Sequence, residues 1–250
     1  MSDAGVLLEA QQLSKRFGGV VASAGIDLQV RAGEIHALIG PNGAGKTTLV
    51  AQLAGQLAPD RGRITFDGRD ITGSSAHQRA RLGLARSFQI TRLFASFGVL
   101  EHLALALQAA SGPSIGAWRP VSHETELFER ARTLLPRLGL EAHANAPIHA
   151  LSHGQRRALE VGMAIAAGPR LVLLDEPMAG LGADESPRME ALITSLRGDA
   201  ALLLIEHDVD AVFRLADRVS VLVGGRIIAS GQPADVRRDA QVIAAYLGTE

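Results

Sequence analysis

Three short segments carry residues whose types and spacing suit one kind of chemistry. Gly40-Pro41-Asn42-Gly43-Ala44-Gly45-Lys46-Thr47 has the spacing G-x-x-x-x-G-K-[ST] in full. Glycines at those positions let backbone N–H groups curl around phosphate oxygens, and a following helix points its positive end at them. In that pattern Lys46 neutralises the β- and γ-phosphates of a nucleotide and Thr47 ligates magnesium, while Thr48 adds a hydroxyl for phosphate contact. Farther along, the apolar run Leu171 to Leu174 delivers Asp175 and Glu176 to a strand end. Neighbours on a strand face opposite sides, so the two carboxylates are expected to do different jobs. Asp175 suits a metal contact and Glu176 the polarisation of an attacking water. A third run, Ala201 to Ile205, ends in Glu206-His207-Asp208, which brings His207 toward the same γ-phosphate. Read alone, Asp175-Glu176 is also an acidic turn before Pro177, and His207 is also a helix-capping histidine. The complete phosphate loop upstream favours the phosphoryl-transfer reading of both.

The surrounding pattern supplies elements able to position these groups. Alternating apolar residues in Val6 to Leu8 and Ile26 to Val30, followed by Ile35 to Ile39, predict strands, the last running straight into the glycine loop. Lys46 to Leu57 has helical periodicity, and Pro59 with Gly62 ends it before a hairpin around Asp67-Gly68. From about Arg86 to Gly168 strand patterns vanish, and Gly112-Pro113 and Gly139 punctuate apparent helices, which predicts a helical insertion. The charge-free runs 171–174 and 201–205, separated by a helical pattern from Ser186 to Leu196, suit parallel strands buried on both faces with functional residues at their carboxyl ends. Ser220 to Val223, Gly224-Gly225 and Ile227 to Ala229 predict a hairpin before a terminal helix.

Composition narrows the partners. A chain of 250 residues without cysteine needs no disulfide framework, and it has no thiolate chemistry or cysteine metal site. A formal net charge of -1 gives no basic footprint for wrapping nucleic acid. The start, MSDAGVLLEAQQLSKRF, lacks a basic region leading into an apolar stretch, so no secretory signal is expected. The best membrane candidate, Val99 to Trp118, is broken by Glu101, His102, Gln108 and Pro113. A cytoplasmic protein that meets a membrane only through another protein is the expectation.

Phosphate loops occur in kinases, GTPases, helicases and recombinases, so a further segment must discriminate. Leu151-Ser152-His153-Gly154-Gln155, just upstream of the acidic strand, resembles the LSGGQ signature of ABC ATPases. The resemblance runs along essentially the whole chain. It implies an α/β fold: a P-loop RecA-like core with an N-terminal antiparallel β subdomain and an inserted α-helical subdomain. The implied divisions are residues 1–88, 89–168 and 169–250. It also implies a head-to-tail dimer in which Ser152, Gly154 and Gln155 serve the ATP held by the partner subunit. Gln89, in Arg86-Ser87-Phe88-Gln89, matches the family's glutamine that senses magnesium and the membrane partner. Phe17, about thirty residues before Lys46, matches an aromatic ring that stacks on adenine, with core packing as the other reading.

More narrowly, the chain looks like ATP-binding subunits of the branched-chain amino-acid importer group. The segments Leu13-Ser14-Lys15-Arg16-Phe17-Gly18-Gly19, Arg92-Leu93-Phe94, Ile205-Glu206-His207-Asp208 and Ala245-Tyr246-Leu247-Gly248 carry that likeness. Importers of urea and short amides share much of it. Transmembrane permeases, a second homologous or identical ATP-binding subunit and, indirectly, a solute-binding protein are the implied partners. A groove for a permease loop is expected around Leu93, Phe94, Phe97 and Leu100. A non-transport ABC protein, or a module that binds ATP without hydrolysing it, are the readings from other classes; intact Lys46, Asp175, Glu176 and His207 argue against the second. His153 departs from the signature's first glycine, Ala158 stands where arginine is frequent, and Gly182 stands where the family's D-loop often has aspartate, with Asp184 and Glu185 near enough to compensate.

Overall fold

A computed structural model describes residues 5–87, 93–111 and 125–247. The chain opens with two long antiparallel strands, β1 (Val6–Phe17) and β2 (Val20–Arg31), then a short one, β3 (Ile35–Ile39), which leads into helix α1 (Lys46–Leu53). Strands β4 (Arg61–Phe66) and β5 (Arg69–Asp70) follow, joined by Asp67 and Gly68, both at positive φ, the two-residue turn whose twist matches a hairpin. Helix α2 (Ala76–Arg81) and a three-residue strand, β6 (Leu84–Arg86), precede three longer helices, α3 (Val99–Ser111), α4 (Thr125–Leu138) and α5 (His153–Ile165). The remainder alternates: β7 (Leu171–Asp175), α6 (Ser186–Ser195), β8 (Ala201–Ile205), α7 (Val209–Leu215), then the hairpin β9 (Arg218–Val223) and β10 (Arg226–Gly231), and helices α8 (Pro233–Val236) and α9 (Ala240–Leu247).

Two sheets result. One has the order β2-β1-β4-β5 and is antiparallel; the other has the order β10-β9-β3-β8-β7-β6 and is parallel except for its terminal hairpin. Strands β3, β7 and β8 are buried at every position, which is why their sequences read as continuous apolar runs instead of alternating ones. Parity nevertheless assigns the faces. Val172, Leu174, Leu202 and Leu204 pack in one cluster with α3 to α6, while Leu171, Leu173, Leu203 and Ile205 pack in another with α1 and the four-stranded sheet. The helical layer is thus joined to the nucleotide-side layer through single strands, and each such buried leucine contributes about 1.5–3 kcal/mol.

The paired strands β1 and β2 are longer than the sequence pattern predicts. Their register shifts between Ala10 and Leu13 and again beyond, and Gln12 sits at φ 52, so the period-two alternation is broken where the ladder continues. Asp27 holds that irregularity by accepting from the Gln12 backbone N–H at 2.8 Å and its side chain at 2.5 Å. Helix α1 is shorter than predicted, stopping at Leu53, because Gly55 turns the chain at φ 75. The expected glycine-proline break at 112–113 lies outside the described residues.

One buried side chain closes the far end of α1. Arg79, 1 % exposed, donates to the carbonyls of Gln52 at 2.8 Å, Leu53 at 2.7 Å, Ile71 at 2.8 Å, Thr72 at 3.1 Å and Ser74 at 3.1 Å. Helix carbonyls at a C-terminus lack intrahelical donors, and a guanidinium is well suited to supply several at once. Burial pulls this group down to about 10, still charged at neutral pH. Replacing Arg79 with Leu strips donors from five carbonyls, so we expect stability to fall by about 3 kcal/mol or more, read from urea unfolding midpoints.

Candidate nucleotide site

The phosphate loop takes its shape from what surrounds it. Gly40 lies at φ 155, and a Cβ there would meet the Leu222 carbonyl oxygen at 2.0 Å; Gly45 lies at φ 104, and a Cβ would meet the Ala22 carbonyl oxygen at 2.2 Å. Each glycine is therefore required twice, by its dihedral and by a neighbouring backbone. Lys46 is 8 % exposed, and its Nζ donates to the carbonyls of Gly40 at 2.5 Å and Pro41 at 3.1 Å. Burial lowers the ammonium from its ordinary value, while the charges of Glu176 and Asp175 hold it up. The loop, the ammonium and both carboxylates thus share one electrostatic environment at the carboxyl ends of β3 and β7. A narrow glycine cradle, a lysine inside it, and Thr47 and Thr48 on the first turn of α1 fit the phosphates of a nucleotide.

Asp175 is the last residue of β7 and only 2 % exposed. Its Oδ2 accepts from Arg86 Nη2 at 2.7 Å, and the same guanidinium also contacts the Gln56 side chain. In the sequence Arg86 is only part of the Arg86-Ser87-Phe88-Gln89 motif; its partner lies 89 residues away, and nothing local announces it. A carboxylate presented this way fits a cation, with the arginine already sharing one oxygen.

Glu176 does not follow the strand alternation by which its role was assigned. It sits at φ 48, in the left-handed region, so the chain has left the strand at this residue and the side chain is aimed by that bend. Its N–H donates to the Ile205 carbonyl at 2.9 Å, and Arg157 of α5 donates to the carbonyls of Asp175 at 2.9 Å and Glu176 at 2.5 Å. Those bonds hold an otherwise unfavourable backbone. His207, largely exposed, has Nδ1 4.0 Å from Glu176 Oε1, beyond hydrogen-bond reach but on the same side.

Phe17 stands 51 % exposed at the tip of the β1–β2 hairpin, so core packing does not account for it; Lys15 Nζ lies 5.8 Å from its ring centroid. The same β2 strand reaches Gly45 through Ala22, two residues beyond Val20, which pairs with Phe17. Ser152 caps α5, with its side chain and that of Gln155 forming a reciprocal capping box. Among the described residues no hydrogen bond joins 152–155 to 40–48; the signature's long-range polar contacts go to Ala179, Glu185 and His143. Gln89 lies outside the described residues. Of the four groove candidates, Leu100 is 4 % exposed and belongs to the core, and Leu93 packs against it. Phe94 is 53 % exposed, its N–H donating to buried His102 Nε2 at 3.0 Å, and Phe97 lies beside it at 5.3 Å between ring centroids.

Glu206, 1 % exposed, was named in the sequence only as a neighbour of His207. Its Oε1 accepts from the Met178 N–H at 2.7 Å, fixing the turn that follows Glu176. Burial pushes its carboxyl above the ordinary value of 4.5, and the Met178 and His207 amides oppose that only in part. With the folded value raised, the unfolded chain ionises first as pH rises, so this group subtracts stability as pH climbs from 4.5 through its folded value. Glu206→Gln keeps an acceptor for Met178 and removes that loss. Unfolding midpoints from about pH 4 to about pH 7 should show the Gln variant gaining on the wild type.

Comparison with known proteins agrees with the geometry. The sequence profile of the ABC transporter family matches residues 24–179, and that of the branched-chain amino acid ATP-binding cassette transporters matches 226–250. The high-affinity branched-chain amino acid transport ATP-binding protein LivG of Salmonella typhimurium is 39% identical over 97% of this chain and 98% of its own, and BraF of Pseudomonas aeruginosa is 37% identical over the same shares. The crystal structure of the ADP conformation of an ATP-binding cassette of an ABC transporter superposes with a TM-score of 0.87 at 30% identity, covering 98% of this chain and 99% of that one. With the loop, the acidic strand and the signature in one matching fold, the chain belongs to the ABC transporter family, among the ATP-binding proteins of its branched-chain amino acid transport group.

Proposed function

We propose that the chain hydrolyses ATP to drive an importer for branched-chain or similar hydrophobic amino acids. The observation that carries the reading is a convergence at the carboxyl ends of adjacent parallel strands: Lys46 after β3, Asp175 at the end of β7 with Glu176 following, and His207 after β8. Likeness to LivG and BraF along nearly the whole chain supports the cargo. Uptake of labelled leucine and of labelled urea by vesicles carrying the complete transporter separates amino-acid import from the urea and amide alternative.

In this reading the amides of 40–45, with Lys46, Thr47 and Thr48, cradle the phosphates, and Phe17 meets the base. Thr47 and Asp175, with Gln89, would hold Mg2+, which would supply charge neutralisation for phosphoryl transfer. Glu176 orients and polarises the attacking water, His207 steadies it from the γ-phosphate side, and Lys46 stabilises charge spread over the transferring group. Ser152, Gly154 and Gln155 complete the site of a second ATP-binding subunit, identical or homologous, arranged head to tail. Division into residues 1–88, 89–168 and 169–250 follows, the middle part meeting the permease. None of the described helices is long and apolar enough to cross a membrane, so attachment to the inner face of the membrane runs through permease subunits, with a solute-binding protein on the far side.

Glu176→Gln should retain ATP binding while phosphate release falls at least about 100-fold; turnover near wild type would exclude Glu176 as the water-activating group. Phe94→Glu, on the exposed ring beside His102, should leave the basal hydrolysis of the free chain within about twofold and remove coupling between hydrolysis and uptake. Proteoliposome transport assays with ATPase measured in parallel test this, and normal coupling would remove Phe94 from the permease contact.

A further inference from the structure

The signature turn is bound by an anion belonging to its own chain. Glu185, the residue preceding α6, places Oε1 2.8 Å from Ser152 Oγ and 3.0 Å from the Gly154 N–H, while its Oε2 accepts from the Gly182 N–H at 3.4 Å. Ser152 Oγ accepts from the Gln155 N–H at 3.2 Å, so its single hydrogen is committed to Glu185. The Ser152 hydroxyl is the main cause that holds the Glu185 carboxyl below its ordinary value, followed by the Gly154 amide. Gly154 is fitted to this arrangement, since a Cβ there would fall 2.6 Å from Glu185 Cδ. His153, the departure from the signature's glycine, adds a second tie: its Nε2 lies 3.3 Å from the Ala179 carbonyl oxygen.

We propose that Glu185 is an internal competitor for the γ-phosphate, filling in cis the hydroxyl and amide donors that Ser152 and Gly154 present to the partner subunit's nucleotide in trans. The inference rests on the trans reading of the signature given above and adds its regulation. One hydroxyl hydrogen and one amide hydrogen cannot serve a carboxylate and a phosphate together, and two anions at a shared donor pair repel. Closure of a nucleotide-bound pair therefore begins with release of Glu185, which moves the segment carrying Gly182 and Asp184. Of the two acids near Gly182, Glu185 thus engages the signature of its own chain. Because Arg157, one turn along α5 from Gly154, holds the carbonyls of Asp175 and Glu176, release of the signature turn bears on the water-activating residue through that same end of the helix.

The test uses the full chain in a Glu176→Gln background, with self-association in Mg-ATP followed by sedimentation equilibrium. Removing the competitor with Glu185→Ala should lower the dissociation constant about tenfold, Glu185→Gln should lower it less, and neither should act in Mg-ADP. Unchanged or weaker association in both variants overturns the proposal, whether or not the parent associates, and so does an equal gain in Mg-ADP. Thermal melts of the two variants identify a merely structural tie, which would show as a lowered melting temperature with weaker association and would also overturn it. Ser152→Ala separates the underlying reading: if it leaves ATP-dependent association intact, the signature does not bind the partner's nucleotide, whatever Glu185 does.

Discussion

The geometry of the site depends on how closely three backbones approach at the phosphate loop. Gly40 abuts the Leu222 carbonyl on β9 and Gly45 abuts the Ala22 carbonyl on β2. Hydrogen bonds complete the wedge: Ala24 N–H to the Gly225 carbonyl at 2.8 Å, and Gly225 N–H to the Ala44 carbonyl at 2.9 Å. The loop is thereby gripped by the second strand of the chain and by its last hairpin, so its curvature is set before any ligand arrives. Preorganised backbone dipoles of this kind cost no rearrangement when charge must be stabilised.

Around that wedge, buried or half-buried ionic side chains act through backbone groups as much as through opposite charges. Arg79 closes α1 on the Gln52 and Leu53 carbonyls and ties it to those of Ile71, Thr72 and Ser74, Arg157 holds the carbonyls of Asp175 and Glu176, and Glu206 holds the Met178 amide. Such groups leave a charged centre desolvated, yet each satisfies backbone atoms that would otherwise be unpaired at a strand or helix end. Arg86 on Asp175 and Arg157 on Glu160 are direct ion pairs with both partners nearly buried.

The parts legible in the sequence were those encoded locally. The glycine loop, the apolar strands with acids at their ends, and the paired turn residues of the two hairpins each occupy a few consecutive positions, and the fold bears out those elements. What escaped depends on contacts between distant positions. Strand β6 has three residues, too few for a periodic signal, and exists because β7 pairs with it. The extensions of β1 and β2 are hidden by register shifts, and the left-handed backbone of Glu176 follows from bonds to Ile205 and Arg157. Leu100 shows the same limit from the other side, since an apolar residue near a groove reads alike whether it lines the groove or the core.

The exposed ring of Phe17 bears on fuel choice. In the role proposed for it, the ring meets a purine through its flat face, and stacking of that kind is tolerant because every base has such a face. It reads none of the edge groups that separate adenine from guanine. On that reading the triphosphate would be gripped by a rigid loop while the base would rest on an exposed phenyl group, so nucleobase selectivity would be the weakest part of the recognition. Which purine drives the machine would then be left largely to the relative abundance of the two triphosphates around it.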